Sequence, residues 1–258
     1  MPIYDKPVRV LIRDMIADLA PTAERPFSKE AAFQWFAQRY PKIKEGTIGQ
    51  HLVRFSTNAP SRLHHGVRPE EDLLFQIDGS RFRLYQPSSD PAPIHAASDV
   101  ETPTEFVDAD AAIETKQPSE FAYESDLRDF LAKNLSIIEP GLKLYRDDEG
   151  LTGIEFPVGG RFIDILATDS DGNLVVIELK VSRGYDRVIG QILRYMAWIE
   201  KHHADTKQSV RGIIAAREIS DDLILACSYL PNVALFEYQL SVSLTKIPTF
   251  PTRSGENT

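Results

Sequence analysis

Apolar and polar positions alternate along the chain with two different periods, and the change from one to the other marks out its elements. KPVRVLIRDMIADLA places Val8, Leu11, Ile12, Met15 and Leu19 at helical spacing. FSKEAAFQWFAQRYP opens on Ser28 as an N-cap and carries Phe33 and Phe36 on one side. In KEGTIGQHLVRFSTN, Ile48, Leu52 and Phe55 form an inward stripe, which leaves Thr47, Gln50, His51 and Arg54 on a polar face expected to point outward. LLFQIDGSRFRLY reads as two strands around Asp78-Gly79, with Arg81 and Arg83 alternating against Phe82 and Leu84. Further on, YESDLRDFLAKNLSIIEPGLKLY reads as an amphipathic helix with Leu127, Phe130, Leu131 and Leu135 inward. The segments VRGIIAA, ISDDLILACSYL (capped by Ser220) and VALFEYQL follow as strand, helix and strand, so this half of the chain is α/β.

GRFIDILATDSDGNLVVIELK carries the chemistry. Asp171-Gly172-Asn173 is a turn sequence, so 161 to 168 and 174 to 180 are predicted to pair as antiparallel strands. Asp164 and Glu178 lie equally far from the turn centre and come out roughly opposite each other, and alternation puts Glu178 and Lys180 on one face. Opposed carboxylates on a half-buried sheet repel and resist desolvation, a conflict that a divalent cation removes. Hard oxygen ligands suit Mg²⁺, with Mn²⁺ as a substitute, and the neighbouring lysine can stabilise charge developing on a phosphate. The bland alternative is an exposed Glu178/Lys180 pair on an edge strand.

RFIDILATDSDGNLVVIELKVSRGYDRVIGQILRYMAWI resembles the core of the PD-(D/E)xK nuclease superfamily, and within it the DUF91 or NucS-like endonuclease domains; a looser likeness runs from about 121 to 238. The resemblance implies that Asp164, Glu178 and Lys180 are metal and catalytic residues. Ile163 stands where the superfamily has its eponymous proline. In QILRY, Gln191 and Tyr195 at i and i+4 are similar to the Q-x-x-x-Y element of such nucleases, which makes them catalytic candidates as well. Glu124 matches the acidic residue that many members take from their first core helix as a metal ligand; a carboxylate there also suits the helix dipole. Arg161 matches a GR-x-D arrangement and is expected to touch DNA phosphate. The implied fold is a restriction-endonuclease-like mixed sheet flanked by helices. Three helices and a hairpin over about 5 to 86 resemble a winged helix, an α+β module in which the third helix would enter the major groove through Thr47, Gln50, His51 and Arg54 while Arg81 and Arg83 reach the backbone. NucS-type mismatch endonucleases carry a different, β-rich amino-terminal domain, so their mismatch specificity does not carry over.

Composition adds boundaries. With 42% hydrophobic and 26% charged residues the chain is an ordinary globular sequence. It has no apolar run of membrane-spanning length and no secretory leader, and its single cysteine, Cys227, forms no internal disulfide; cytoplasm is the expected location. The net charge of −9 is uneven: residues 1–86 carry +3, 87–122 carry −7 and 123–258 carry −5. The expected organisation is a DNA-binding domain (1–86), an acidic Pro/Ser/Ala-rich linker (87–120) that holds two domains apart, a nuclease domain (121–245) and a disordered tail (246–258). The expected activity is Mg²⁺-dependent endonucleolytic cleavage of DNA in restriction-type defence or repair. A DNA-binding regulator on a retired nuclease fold and a nuclease for RNA or branched DNA are the alternatives. A double-strand cut needs two active sites, which points to a homodimer, although no segment specifies its interface.

Overall fold

The computed structural model describes residues 4–96, 118–147, 149–159, 161–180, 185–239 and Thr245. Most of the expected linker, with its DADAAIET stretch, and the expected tail lie outside these residues.

The amino-terminal part consists of α1 (Val8–Leu19), β1 (Phe27–Ser28), α2 (Lys29–Arg39), α3 (Glu45–Phe55), β2 (Leu74–Gln76) and β3 (Arg81–Leu84), the strands lying in the antiparallel order β1-β3-β2. Leu11, Ile12 and Met15 of α1 meet Phe36 of α2, Ile48, Leu52 and Phe55 of α3, and Phe82 of β3 in one closed core. Ser28 caps α2 by accepting from Ala31 N–H at 3.1 Å, and Asp78 shapes the β2–β3 turn by accepting from Ser80 N–H and Arg81 N–H, both at 2.9 Å.

The carboxy-terminal part runs α4 (Pro118–Lys133), β4 (Lys143–Leu144), β5 (Ile154–Val158), β6 (Arg161–Thr168), β7 (Leu174–Lys180), α5 (Tyr185–His202), β8 (Val210–Ala216), α6 (Asp221–Cys227) and β9 (Val233–Glu237). Its mixed sheet has the order β4-β6-β7-β8-β9, with β5 also pairing to β6; β6–β7 is antiparallel, whereas β7–β8 and β8–β9 are parallel. Leu166, Val176 and Ile214 pack under α5 and α6 through Val188, Ile192 and Leu223. On the opposite face Ile165, Ile177 and Ile213 pack under Leu127 and Leu131 of α4. This is the mixed sheet flanked by helices that the sequence implied. Helix α4 is shorter than the sequence pattern suggested, ending at Lys133, and Phe130 is 52% exposed instead of inward. Leu127, Leu131 and Ala132 span the buried arc of the helix; at 100° per residue Phe130 sits about 130° from its midpoint.

The two parts are docked directly, and α3 is the docking element. Gln50 and His51 are fully buried and Arg54 is 5% exposed. Gln50 Nε2 donates to the Thr152 carbonyl at 2.7 Å, and His51 spans the Thr47 carbonyl (3.0 Å) and Glu149 Oε2 (3.2 Å). Arg54 pairs with Glu71 at 3.0 Å and reaches the Glu149 carbonyl at 3.4 Å. Glu149 also accepts from the Val8 and Arg9 N–H groups at the start of α1, capping that helix from the other domain. Burial works against its charge, but His51 and the two N–H groups outweigh burial and bring the carboxyl down to about 2. Close approach requires Gly46: a Cβ there would lie 2.5 Å from His203 Nδ1 and 3.0 Å from Phe156. At the rim His202 pairs with Glu45 at 2.6 Å, and Glu155 of β5 joins Ser61 to Arg128 of α4.

This arrangement corrects the expected DNA-reading face. Thr47 is half-buried, and Gln50, His51 and Arg54 are buried at the seam, with Gln50 Nε2 bonded to Thr152, His51 to Glu149 and Arg54 to Glu71, so none is presented to a DNA groove. Nor does the segment after the amino-terminal domain hold the two apart. An amphipathic pattern says which face of a helix is apolar; it does not say whether the polar face meets water or another polar surface.

Arg54 therefore supports folding. Arg54→Ala strands Glu71 as a buried charge and should lower the unfolding free energy by about 3–5 kcal/mol in urea titration. A solvent-facing, DNA-contacting arginine would change stability by less than about 0.5 kcal/mol, and that result would reject the buried role.

Candidate active site

Strand β7 lies between β6 and β8 with helices on both faces, which explains its nearly unbroken apolar sequence LVVIELK. Within that run Glu178 is only 2% exposed. Regular β6–β7 pairing ends at Ile165↔Ile177, one step short of the residues of interest. Beyond it the strands are joined by a side chain, Leu179 N–H donating to Asp164 Oδ2 at 2.7 Å. Lys180 Nζ donates to Glu178 Oε1 at 3.0 Å, while Glu178 Oε2 is buried with no hydrogen-bond partner. The sequence-predicted trio Asp164, Glu178 and Lys180 is therefore together, at the end of the hairpin away from its turn.

Electrostatics follow from enclosure. Burial pushes Asp164 up to about 6; Glu124 adds to the rise, and Lys180, the Leu179 N–H and Arg128 oppose it. Burial, reinforced by the Asp164 charge, pushes Glu178 up to about 8 despite Lys180. Burial also works against the Lys180 ammonium, but the charges of Glu178, Asp164 and Glu124 prevail and hold its pKa above the ordinary lysine value. Glu124, half-buried on α4, thus enters the site through its charge.

The donor set fits a hard divalent cation. Both carboxylates offer oxygen, and the unpartnered Glu178 Oε2 is a buried acceptor in need of a positive partner. Among the described residues no group of three or more His, Cys, Asp or Glu is gathered to hold a metal, so Glu124 does not join the other two as a preformed cage. Two carboxylates suit Mg²⁺, which commonly keeps several waters.

Helix α5 flanks this centre. Gln191 Nε2 donates to Tyr195 Oη at 3.2 Å, with Tyr195 buried, so the predicted i,i+4 pair does meet. One helical step on, Arg194 and Trp198 join Arg161, Tyr195, Val158 and Gly159 around an open cleft of about 540 Å³. Sequence reasoning found Arg161 and missed Arg194 and Trp198, although the spacing 191, 194/195, 198 was a readable helical signal. The two hairpin arginines expected to reach the DNA backbone are paired with carboxylates: Arg81 meets Asp78 at 2.7 Å, and Arg83 grips Asp90 through two 2.6 Å bonds while lying 4.3 Å from the centre of the Phe75 ring. Arg83 is thus committed to its own domain, whereas Arg81 remains exposed.

Comparison with known proteins gives a separate match for each of the two parts. Residues 123–227 match the family described as the endonuclease NucS C-terminal domain, and residues 7–84 match a domain of unknown function, DUF7669. Endonuclease NucS of Thermococcus kodakarensis is 34% identical over 98 residues, 38% of this chain and 34% of that protein. Endonuclease NucS of Frankia alni is 32% identical over 130 residues, 50% of this chain and 54% of that protein. The chain thus spans a third to a half of the length of these relatives. A solved repair endonuclease from Pyrococcus abyssi is 23% identical, with a TM-score of 0.36 over half of each chain. The carboxy-terminal domain is thus similar to the NucS C-terminal domain, the likeness that the strand motif implied.

The raised carboxyl pKa values predict a pH-dependent stability. Unfolded Asp and Glu release protons near 3.8 and 4.5, whereas the folded pair retains them to about 6 and about 8. With metal chelated, the folded state thus loses stability as pH rises through that window. Asp164→Asn and Glu178→Gln should denature at higher urea than wild type at pH 8, with the gain vanishing by pH 4. A gain that is the same at both pH values would contradict the enclosed-carboxylate assignment.

Proposed function

We propose, on the premise of a NucS-type carboxy-terminal domain, that the protein is a Mg²⁺-dependent DNA endonuclease, with Mn²⁺ as a substitute. The observation that carries this reading is the enclosed Asp164–Glu178 pair with Lys180 at 3.0 Å from Glu178 and the second Glu178 oxygen unpartnered. A purely structural sheet has no use for a buried Glu178 whose pKa the charge of half-buried Asp164 raises further.

Asp164 and Glu178 would hold the metal, which supplies Lewis-acid activation of the phosphodiester and of the attacking water. Hydrolysis forms one P–O bond from water and breaks one P–O bond to a nucleoside oxygen, which leaves with a proton. The residues of the chain divide the remaining work. Leu179 N–H fixes one oxygen of Asp164, leaving the other to bind. Lys180 places a permanent positive charge where the phosphorane gathers negative charge. Gln191 and Tyr195 position groups on the α5 side, and Arg161 holds phosphate. The docked amino-terminal domain would brace the nuclease rather than read a groove with α3.

A plasmid-nicking assay tests this. Cleavage should require Mg²⁺ or Mn²⁺ and stop on chelation; Asp164→Asn and Lys180→Ala should each reduce the rate at least about a hundredfold while the protein remains folded. Near wild-type cleavage by either variant, in protein freed of contaminating nuclease, would remove that residue from the mechanism.

A further inference from the structure

Strand β5 turns over at Glu155, and β6 turns over at the residue across from it. Ile154 packs on the α4 side of the sheet, whereas Phe156 and Val158 pack on the α5 side. Likewise Ile163 belongs to the α5 core and Ile165 to the α4 core. A regular strand sends residues two apart to one face, so each strand reverses its faces at the residue between. The register Ile154↔Ile165 and Phe156↔Ile163 sets Glu155 opposite Asp164, and this pair is skipped in a ladder that otherwise runs from Ile154 to Val158. Glu155 makes the reversal with a left-handed backbone, φ +47°, a conformation that a residue with a Cβ keeps only where its surroundings hold it. Two groups supply that hold. Glu155 Oε1 accepts from Arg128 Nη1 of α4, and Oε2 accepts from Ser61 Oγ of the amino-terminal domain. Ser61 is buried and the Arg128 side chain is only 13% exposed, so water does not readily replace either. From its other neighbour, β7, Asp164 receives the Leu179 N–H at 2.7 Å.

We propose that Glu155 is the positioning residue for Asp164: its left-handed backbone, locked by Ser61 and Arg128, turns β6 over at Asp164 and sets that carboxylate beside Glu178. With residue 155 extended, β5 would keep Ile154 and Phe156 on one face, ladder pairing would run on through Asp164, and β6 would have no cause to reverse there. The amino-terminal domain thereby sets the geometry of the carboxylate pair through one hydroxyl, and its docking is part of the site's construction. The inference rests on the nuclease reading for the task of Asp164 and adds what holds Asp164 in place.

The test uses the full chain and two readouts. Amide hydrogen exchange in chelator follows the Leu179 N–H, which reports on Asp164, against the Ile177 N–H in the regular part of the β6–β7 ladder, which reports on opening of the whole domain. Ser61→Ala and Glu155→Ala should each speed Leu179 exchange about tenfold or more relative to Ile177. In the plasmid-nicking assay both should lower kcat by a similar factor with KM within about twofold of wild type. Glu155→Gly, which takes a positive φ without strain, should fall between wild type and Glu155→Ala in both readouts. Should Glu155→Ala fail to fold, Ser61→Ala, which deletes a hydroxyl only, decides the matter. A Leu179-to-Ile177 ratio unchanged in Ser61→Ala, or a Glu155→Gly protein no better than Glu155→Ala, would overturn the proposal and leave Glu155 as a strut between domains. Wild type that cuts DNA while the variants keep its kcat and its Leu179 exchange rejects the positioning and keeps the nuclease; a Leu179 response in a protein without Mg²⁺-dependent cleavage rejects the nuclease and keeps the positioning.

Discussion

The enclosure of Glu178 constrains everything around it. A carboxylate on a central strand, covered on both faces, is tolerated only with a positive partner, and Lys180 two residues on the same face gives one of its oxygens that partner. The strands part at this point because a regular ladder would press Asp164 against Glu178, and Asp164 instead turns one oxygen to the Leu179 N–H. The sheet closes normally toward the turn, where Ile165, Leu166 and Ala167 pair with Ile177, Val176 and Val175. Local strand divergence and local charge are thus two aspects of one arrangement, and the apolar packing under α4 and α5 supplies the stability that tolerates it.

Around this centre the domains share supports. Glu155 lies in the left-handed region (φ +47°) on β5 and joins Arg128 of α4 to Ser61 of the amino-terminal domain; Arg128 also bears on the Asp164 charge. Helix α5 carries Gln191 and Tyr195, Trp198 in the cleft and His202 against α3, and His203 just past its end also meets α3. A displacement of α3 would therefore be felt along a single helix that also packs on β7.

What the sequence made legible was local. The DSDGN turn and the two-residue period of its flanking strands set the hairpin register, and the register brought Asp164 and Glu178 together with no knowledge of the rest of the sheet. Ser28, Ser220 and the Gln191/Tyr195 spacing were readable for the same reason. The unread features depend on partners far along the chain. Gln50 finds Thr152 and His51 finds Glu149, about a hundred positions away, and no periodicity within α3 encodes them. Strand β5 escaped notice because Pro157 and the positive φ at Glu155 break the usual strand signature, which an element paired only to β6 can accommodate.

The polarity of the docking face also bears on how the protein is made. Residues 45–55 leave the ribosome well before residues 149–205, a lag of roughly five to thirty seconds at ordinary synthesis rates. During that interval the amino-terminal core can close, while the face that will meet β5 and α5 has no partner. Were that face lined with leucine and phenylalanine, the nascent domain would expose an adhesive patch for as long as translation lasts. Because it is built from Gln50, His51 and Arg54, water can serve each group until Thr152 and Glu149 arrive, and only then is it displaced. The choice of side chains at this seam lets half of the molecule wait, soluble, for the other half.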